Sequence, residues 1–280
     1  MLSQLQYYLA FQFVQYALIV GVLVALCSSL LGVVLVLKRL SYIGDGLSHI
    51  AFGVMSFGMA LNLLDNMPLT LFITIIVAIN LIRGGENRKI NAESALAMMS
   101  VSALAFGYFI LNVNNTSSNI FGDICSALFG ATSILTLSHD DVILSIIMSI
   151  LVILTFIVFY NKIFSVTFDE VFAKATGIKT DRYNLLIAVI TAIVIVIAMN
   201  LVGALLVSAL IVFPAVSAMS VFSQFKPVII LSTIISIINS TGGIVISILF
   251  GTPVGATIVM ANVITFIILK LLGMLIRRRI

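Results

Sequence analysis

A bundle of eight or nine membrane-crossing α-helices is the fold expected of this 280-residue chain, and three observations point to it. Hydrophobic residues make up 62% of the chain and charged residues only 9%, against about 25% charged in soluble domains. Mean hydropathy is +1.29. Several apolar runs reach 18 residues or more without a charge, close to the roughly 20 residues a helix needs to cross a hydrocarbon core of about 30 Å. The strands of a membrane β-barrel would alternate apolar and polar residues instead. The expected fold is therefore an all-α polytopic integral membrane bundle, with residues 1–280 forming a single transmembrane domain.

Taken in order, the apolar runs place helices at 14–37, 42–62, 69–83, 95–113, 142–160, 185–200, 204–223, 227–249 and 254–275. The opening MLSQLQYYLAFQF lacks the positive n-region and small-residue cleavage site of a signal peptide, so it reads as part of the mature chain. Between the fourth and fifth spans, NIFGDICSALFGATSILTL is apolar but broken by Gly and Ser. It fits a re-entrant segment within 114–141 beside a pathway, or a loop on the outer surface.

With nine spans, all fourteen Lys and Arg residues fall on one side. The positive-inside rule makes that side the cytoplasm, with the N-terminus outside and the C-terminus inside. The opposite loops, Asn112 to Asn119 and Ser138 to Asp141, contain neither Lys nor Arg. Topology thus accounts for the net charge of +4 without a nucleic-acid partner. Cys27 and Cys125 make no disulfide framework and no CxxC motif. The absence of GxxxxGK[ST], HExxH and GxSxG argues against intrinsic ATP binding or catalysis.

Asp45 lies six residues past Arg39, which on one continuous helix puts it roughly 9 Å beyond the cytoplasmic boundary. An ionised Asp at a helix centre costs about 2.5–3.5 kcal/mol on insertion scales, and such residues face bundle interiors or aqueous cavities. Asp45 and His49 stand four apart, on one helix face. A carboxylate and an imidazole together suit zinc, manganese or iron better than calcium or magnesium. The pair equally fits a simple hydrogen bond in which Asp45 holds His49 or a neighbouring helix. As a metal site it is incomplete, needing Ser48, a carbonyl or a residue from another helix.

The loop Ser165 to Asn184 contains a second pattern. Thr167 and Glu170 fit a capping box and Gly177 a helix stop. Between them Phe168, Val171, Phe172 and Ala175 share a helix face. A ten-residue helix is too short to stand alone, so its apolar face either packs on its own membrane domain or docks in a partner's groove. His139, Asp140 and Asp141 read as an acidic helix start rather than a metal site, and Glu93 as a helix N-terminal charge.

Four stretches resemble, in order and spacing, the membrane subunits of bacterial ABC importers for zinc, manganese and iron. They are RLSYIGDGLSHIAFGV (Arg39 to Val54), FDEVFAKATGI (Phe168 to Ile178), VGALLVSALIVFPAVSA (Val202 to Ala218) and STGGIVISILFGTPVGATIVM (Ser240 to Met260). The resemblance runs from about residue 15 to 270 and, through RLSYIGDGLSH, looks closest to the zinc permeases. It implies a homodimeric permease in the bacterial plasma membrane, an extracellular or periplasmic metal-binding protein, and two cytoplasmic ATPase subunits. On that reading the metal is cargo and no resident cofactor is expected. Asp45 and His49 match the family's pathway positions. Phe168, Asp169, Glu170, Val171, Phe172 and Gly177 match its ATPase-coupling helix. Gly203 and Pro214 match its third motif, either lining the pathway or packing, because a helix proline frees a carbonyl and bends the axis. Pro253 matches the start of the last helix. The chain departs from the family at Gly251 and Ala131, where relatives often have acidic or amide residues. A stand-alone proton-coupled carrier working through Asp45 and His49 is the alternative class.

Overall fold

Among the described residues, nine long helices and one short one form where the apolar runs and the coupling pattern lie. The computed structural model describes residues 7–8, 10–61, 67–83, 92–113 and 137–277. In chain order the helices are α1 Gln12–Leu37, α2 Ile43–Ala60, α3 Met67–Arg83, α4 Ala92–Val113, α5 His139–Phe168, α6 Glu170–Ala175, α7 Thr180–Val202, α8 Ala204–Val221, α9 Phe225–Phe250 and α10 Val254–Arg277. Seven of them, all but α2, α3 and α6, are long and apolar enough to cross a membrane. The expected re-entrant segment and Ala131 lie largely or wholly outside the described residues, as does Cys125.

The helix ends meet as nine alternating spans require. At one end Lys38 of the α1 terminus reaches Asn184 of α7, Phe164 of α5 stacks near Phe225 of α9, and Gly273 of α10 lies against Ser220 of α8. At the other, Tyr16 lies beside His139, and Asn200 bonds the Met67 sulfur. The first group marks the basic end, where Arg39, Lys162, Lys174, Lys179, Arg182 and Lys226 also fall.

α5 outruns its expected 142–160 span. No Gly or Pro interrupts it, and its 30 residues extend about 45 Å at 1.5 Å per residue, longer than the hydrocarbon is thick. Its other end is set by a capping box between Ser138 and Asp141, with Ser138 N donating to Asp141 Oδ2 at 2.9 Å. That accounts for Asp141 as a helix-start residue.

α1 and α7 form the centre, with 67% and 72% of their apolar windows buried, whereas α4 and α10 sit outside at 17% each. Close approach at the centre depends on small residues, as is usual where lipid removes the hydrophobic drive between helices. A Cβ on Gly32 of α1 would lie 2.0 Å from the Ile211 carbonyl oxygen of α8. Hydroxyls and amides fasten α9 across the bundle. Ser236 donates to the Ala25 carbonyl at 2.9 Å and Ser240 to the Gly21 carbonyl at 3.1 Å. Asn239 donates to Asn262 at 3.0 Å and accepts from Thr265 at 3.0 Å. Such bonds average about 0.6 kcal/mol in membranes, so they set register more than stability.

Candidate functional site

The α1–α2 connection decides where the Asp45–His49 pair lies. α1 ends at Leu37, Arg39 takes a left-handed φ of 59°, and α2 begins only at Ile43. Counting helical rise from Arg39 therefore overstates depth. Asp45 sits in the first turn of α2, where a helix N-terminus favours a carboxylate. Its side chain is 55% exposed and that of His49 only 19%.

The two side chains do meet, with His49 Nε2 3.5 Å from Asp45 Oδ1. Gly44 lets α2 lie close to Ser208 and Ile211 of α8, which brings the Ser208 hydroxyl near Asp45, although it donates to the Ala204 carbonyl at 3.2 Å. His49 Nδ1 is buried without a hydrogen-bond partner among the described residues. Ser48 is fully buried and donates to the Asp45 backbone carbonyl at 2.7 Å, so its hydroxyl is already engaged. No group of three or more His, Cys, Asp or Glu that could hold a metal forms among the described residues. The described residues thus present two adjacent donors, one of them open, and no closed coordination sphere.

A second polar group gathers at the basic end. α5 continues through Phe168 and breaks at Asp169, whose φ of −148° and ψ of 99° are extended. The residue that leaves the helix is the one able to cap the next, so Asp169 Oδ1 accepts from Phe172 N at 2.9 Å. This replaces the expected Thr167–Glu170 capping box, since Thr167 is still inside α5. α6 is six residues long rather than ten. It ends as expected at Gly177, whose φ is 84°. Ile178 N donates to Ala173 O and Gly177 N to Lys174 O, both at 3.0 Å, the paired bonds of a Schellman motif.

Glu170, freed from capping, turns inward. Asn184 donates to Glu170 Oε1 at 3.0 Å and accepts from Lys38 Nζ at 2.5 Å. Lys38 and Lys174 stand 4.0 and 3.4 Å from the same carboxylate. Burial pushes the Lys38 ammonium below its ordinary range, and the Glu170 charge partly restores it. Burial alone would raise Glu170, but the Asn184 hydrogen bond and the Lys38 and Lys174 charges outweigh it and hold the carboxyl below its ordinary value. α6 is thereby tied to the end of α1 and the start of α7.

The apolar face of α6 points away from the bundle. Phe168, Val171 and Phe172 are 54%, 78% and 65% exposed, and only Ala173 of this helix is buried. Packing on its own membrane domain, one of the two expectations, holds for Phe168 at the end of α5 and not for the exposed Val171 and Phe172 of α6. Phe168 does lean on Phe164 and Phe225, with ring centroids 4.8 and 6.0 Å away.

Gly203 and Pro214 belong to neither group. Gly203, at φ 95°, is the single residue between α7 and α8, a backbone conformation open to glycine at little cost. Pro214 is buried within α8. Gly251 ends α9 in a left-handed conformation, and α10 starts at Val254, directly after Pro253. Lys38, Asn184 and Ser208 join the two polar groups without having been singled out by sequence.

Comparison with known families matches residues 10–273 to the ABC 3 transport family. The chain is 29% identical over 260 residues to the manganese import system permease protein ScaB of Streptococcus gordonii, covering 92% of this chain and 90% of that protein. It is 30% identical over 242 residues to the high-affinity zinc uptake system membrane protein ZnuB of Buchnera aphidicola subsp. Acyrthosiphon pisum, covering 86% and 90%. Among solved structures, PsaBC from Streptococcus pneumoniae in complex with Fab superposes with a TM-score of 0.83 at 27% identity, covering 96% of this chain and 95% of that one. Relatives named for manganese and for zinc stand at nearly equal identity, so the expected leaning toward the zinc permeases gains no support from it.

Proposed function

The chain belongs to the ABC 3 transport family, and from that premise we propose that it is the membrane permease of an ATP-driven importer carrying zinc or manganese into a bacterial cytoplasm. As a member it is a multi-pass transport subunit rather than an enzyme. The single observation that carries the metal reading is the open pair. Asp45 and His49 offer a carboxylate and an imidazole side by side, with no third ligand from the same chain among the described residues. Two copies meeting at this face would supply two carboxylates and two imidazoles, a set suited to a first-row divalent cation. A site that binds only when two copies approach, and whose ligands are partly exposed, releases its ion readily on each cycle. Iron falls within the same ligand chemistry. The RLSYIGDGLSH stretch, Arg39 to His49, is what keeps zinc first among the three.

The exposed Val171 and Phe172 support a cytoplasmic ATPase as the partner of α6, since this apolar face has no cover among the described residues. A metal-binding protein on the opposite face would deliver the ion. A proton-coupled carrier needs no such docking face. The discriminating experiment is zinc and manganese uptake by cells lacking their own high-affinity importer, expressing this chain with and without a cognate ATPase and binding protein. Uptake that requires the full set is the expected result. Uptake by this chain alone would sink the importer reading in favour of the carrier.

A further inference from the structure

We propose that the basic pocket between the end of α5 and the start of α7 is a seat for the phosphodiester headgroup of an anionic phospholipid. The pocket, about 440 Å³ in volume, is ringed by Lys162, Lys179 and Arg182 and floored by Phe159, Tyr183 and Leu186. Its chemistry is lopsided. Lys38 and Lys174 each have Glu170 as a partner, but none of these three cations stands within ion-pair distance of a carboxylate among the described residues. Asp181 is the nearest acid in sequence, and counting it against Lys162, Lys179 and Arg182 still leaves a net charge of +2. α7 also starts at this pocket, and its N-cap residue Lys179 supplies no side-chain cap. Of the first amides of α7, Thr180 N and Arg182 N already donate to the Ile178 and Lys179 carbonyls, so the positive charge of the ring rests on its three side chains.

Position selects a lipid over other anions. Lys162 follows the apolar stretch of α5 after Asn161, and Arg182 precedes that of α7 by Tyr183 and Asn184, which sets the three cations at headgroup level on the basic end of the bundle. That is where anionic lipids attract juxtamembrane cations. The Phe159 and Tyr183 rings, edge to face at 5.8 Å, form the amphipathic floor found at membrane interfaces. A soluble phosphate would engage the cations and leave Phe159 and Leu186 uncovered, whereas a glycerophospholipid covers both. Gly177, the stop of α6, lines the same pocket, so an occupied seat braces the α6–α7 connection. The binding claim stands apart from the reading of α6 as a docking helix; only a consequence for transport rests on that reading.

The test is lipid retention by the full-length protein, purified in detergent and offered mixed micelles of phosphatidylglycerol and phosphatidylcholine, with bound lipid read by native mass spectrometry. Each neutralised cation is expected to lower the preference for phosphatidylglycerol about fivefold. Lys162→Gln with Lys179→Gln and Arg182→Gln should abolish it, while Lys226→Gln, an exposed cation of the same end outside the pocket, should leave it intact. Lys162→Arg with Lys179→Arg should also keep it, and Lys162→Gln alone gives a graded answer where the triple variant does not fold. An unchanged preference in the neutralised variants would overturn the proposal. So would an equal loss with Lys226→Gln, which means diffuse attraction, or displacement by inorganic phosphate as readily as by short-chain phosphatidylglycerol, which means a phosphate site. An importer that fails to transport while still selecting phosphatidylglycerol would count against the functional reading and not against the seat.

Discussion

The two polar groups of this bundle differ in how completely they are partnered. At the α1–α6–α7 joint, Glu170 is met by Asn184, Lys38 and Lys174, and Asn184 in turn accepts from Lys38. At the start of α2, Asp45 is 55% exposed, and His49 keeps a buried nitrogen without a hydrogen-bond partner among the described residues. Buried polar atoms are ordinarily satisfied, and the exceptions in a native fold need a reason. The joint is finished within the chain and acts as structure. The pair is unfinished within the chain, which is what a transient ligand site requires.

Predictions that break or sharpen this contrast can be ranked by size. The largest effect belongs to the exposed face of α6. Phe172→Asp puts a charge where a 65% exposed ring stands, so it should abolish co-purification with the ATPase while leaving the membrane fold and its elution profile unchanged. Normal co-purification would return α6 to a surface ornament. A smaller effect is expected at the joint. Lys38→Met removes one of three partners of a partly exposed carboxylate, costing about 1 kcal/mol, and should speed amide exchange in α6 about fivefold. Unchanged exchange would mean the joint does not hold the helix.

The smallest effect is the pH dependence of the same exchange. The carboxyl of Glu170 is held below its ordinary value near 4.5, so its contribution is fully present above that value. It is lost only as pH falls through the lower value of the folded state. Exchange in α6, taken relative to the intrinsic amide rate at each pH, should therefore be flat from neutrality to about pH 5 and rise in more acid solution. In Glu170→Gln the acid rise should be absent, and its persistence would place the titrating group elsewhere.

The nine long helices were legible because each rests on a local signal, a continuous apolar run, and the parity of Lys and Arg sets their direction. The pair was legible because residues four apart on a helix must share a face. What was not legible depended on where helices break. Arg39 takes a left-handed turn that no run of apolar residues announces, and this moved Asp45 from an expected deep position to a first turn. The break at Asp169 likewise gave the cap to Asp169 rather than Thr167. The joint was out of reach for a different reason. Lys38 and Asn184 are 146 positions apart, and only the packing of α1 against α7 brings them together.

The central claim is that the unfinished pair receives the ion. Its most direct test is ATP-driven zinc and manganese uptake by proteoliposomes holding the assembled importer, comparing the native chain with Asp45→Asn and with His49→Ala. Uptake should fall at least tenfold in each variant, within the range of about 10–100-fold for disturbed metal sites, with ATPase association intact. Native uptake rates in both variants would contradict the account.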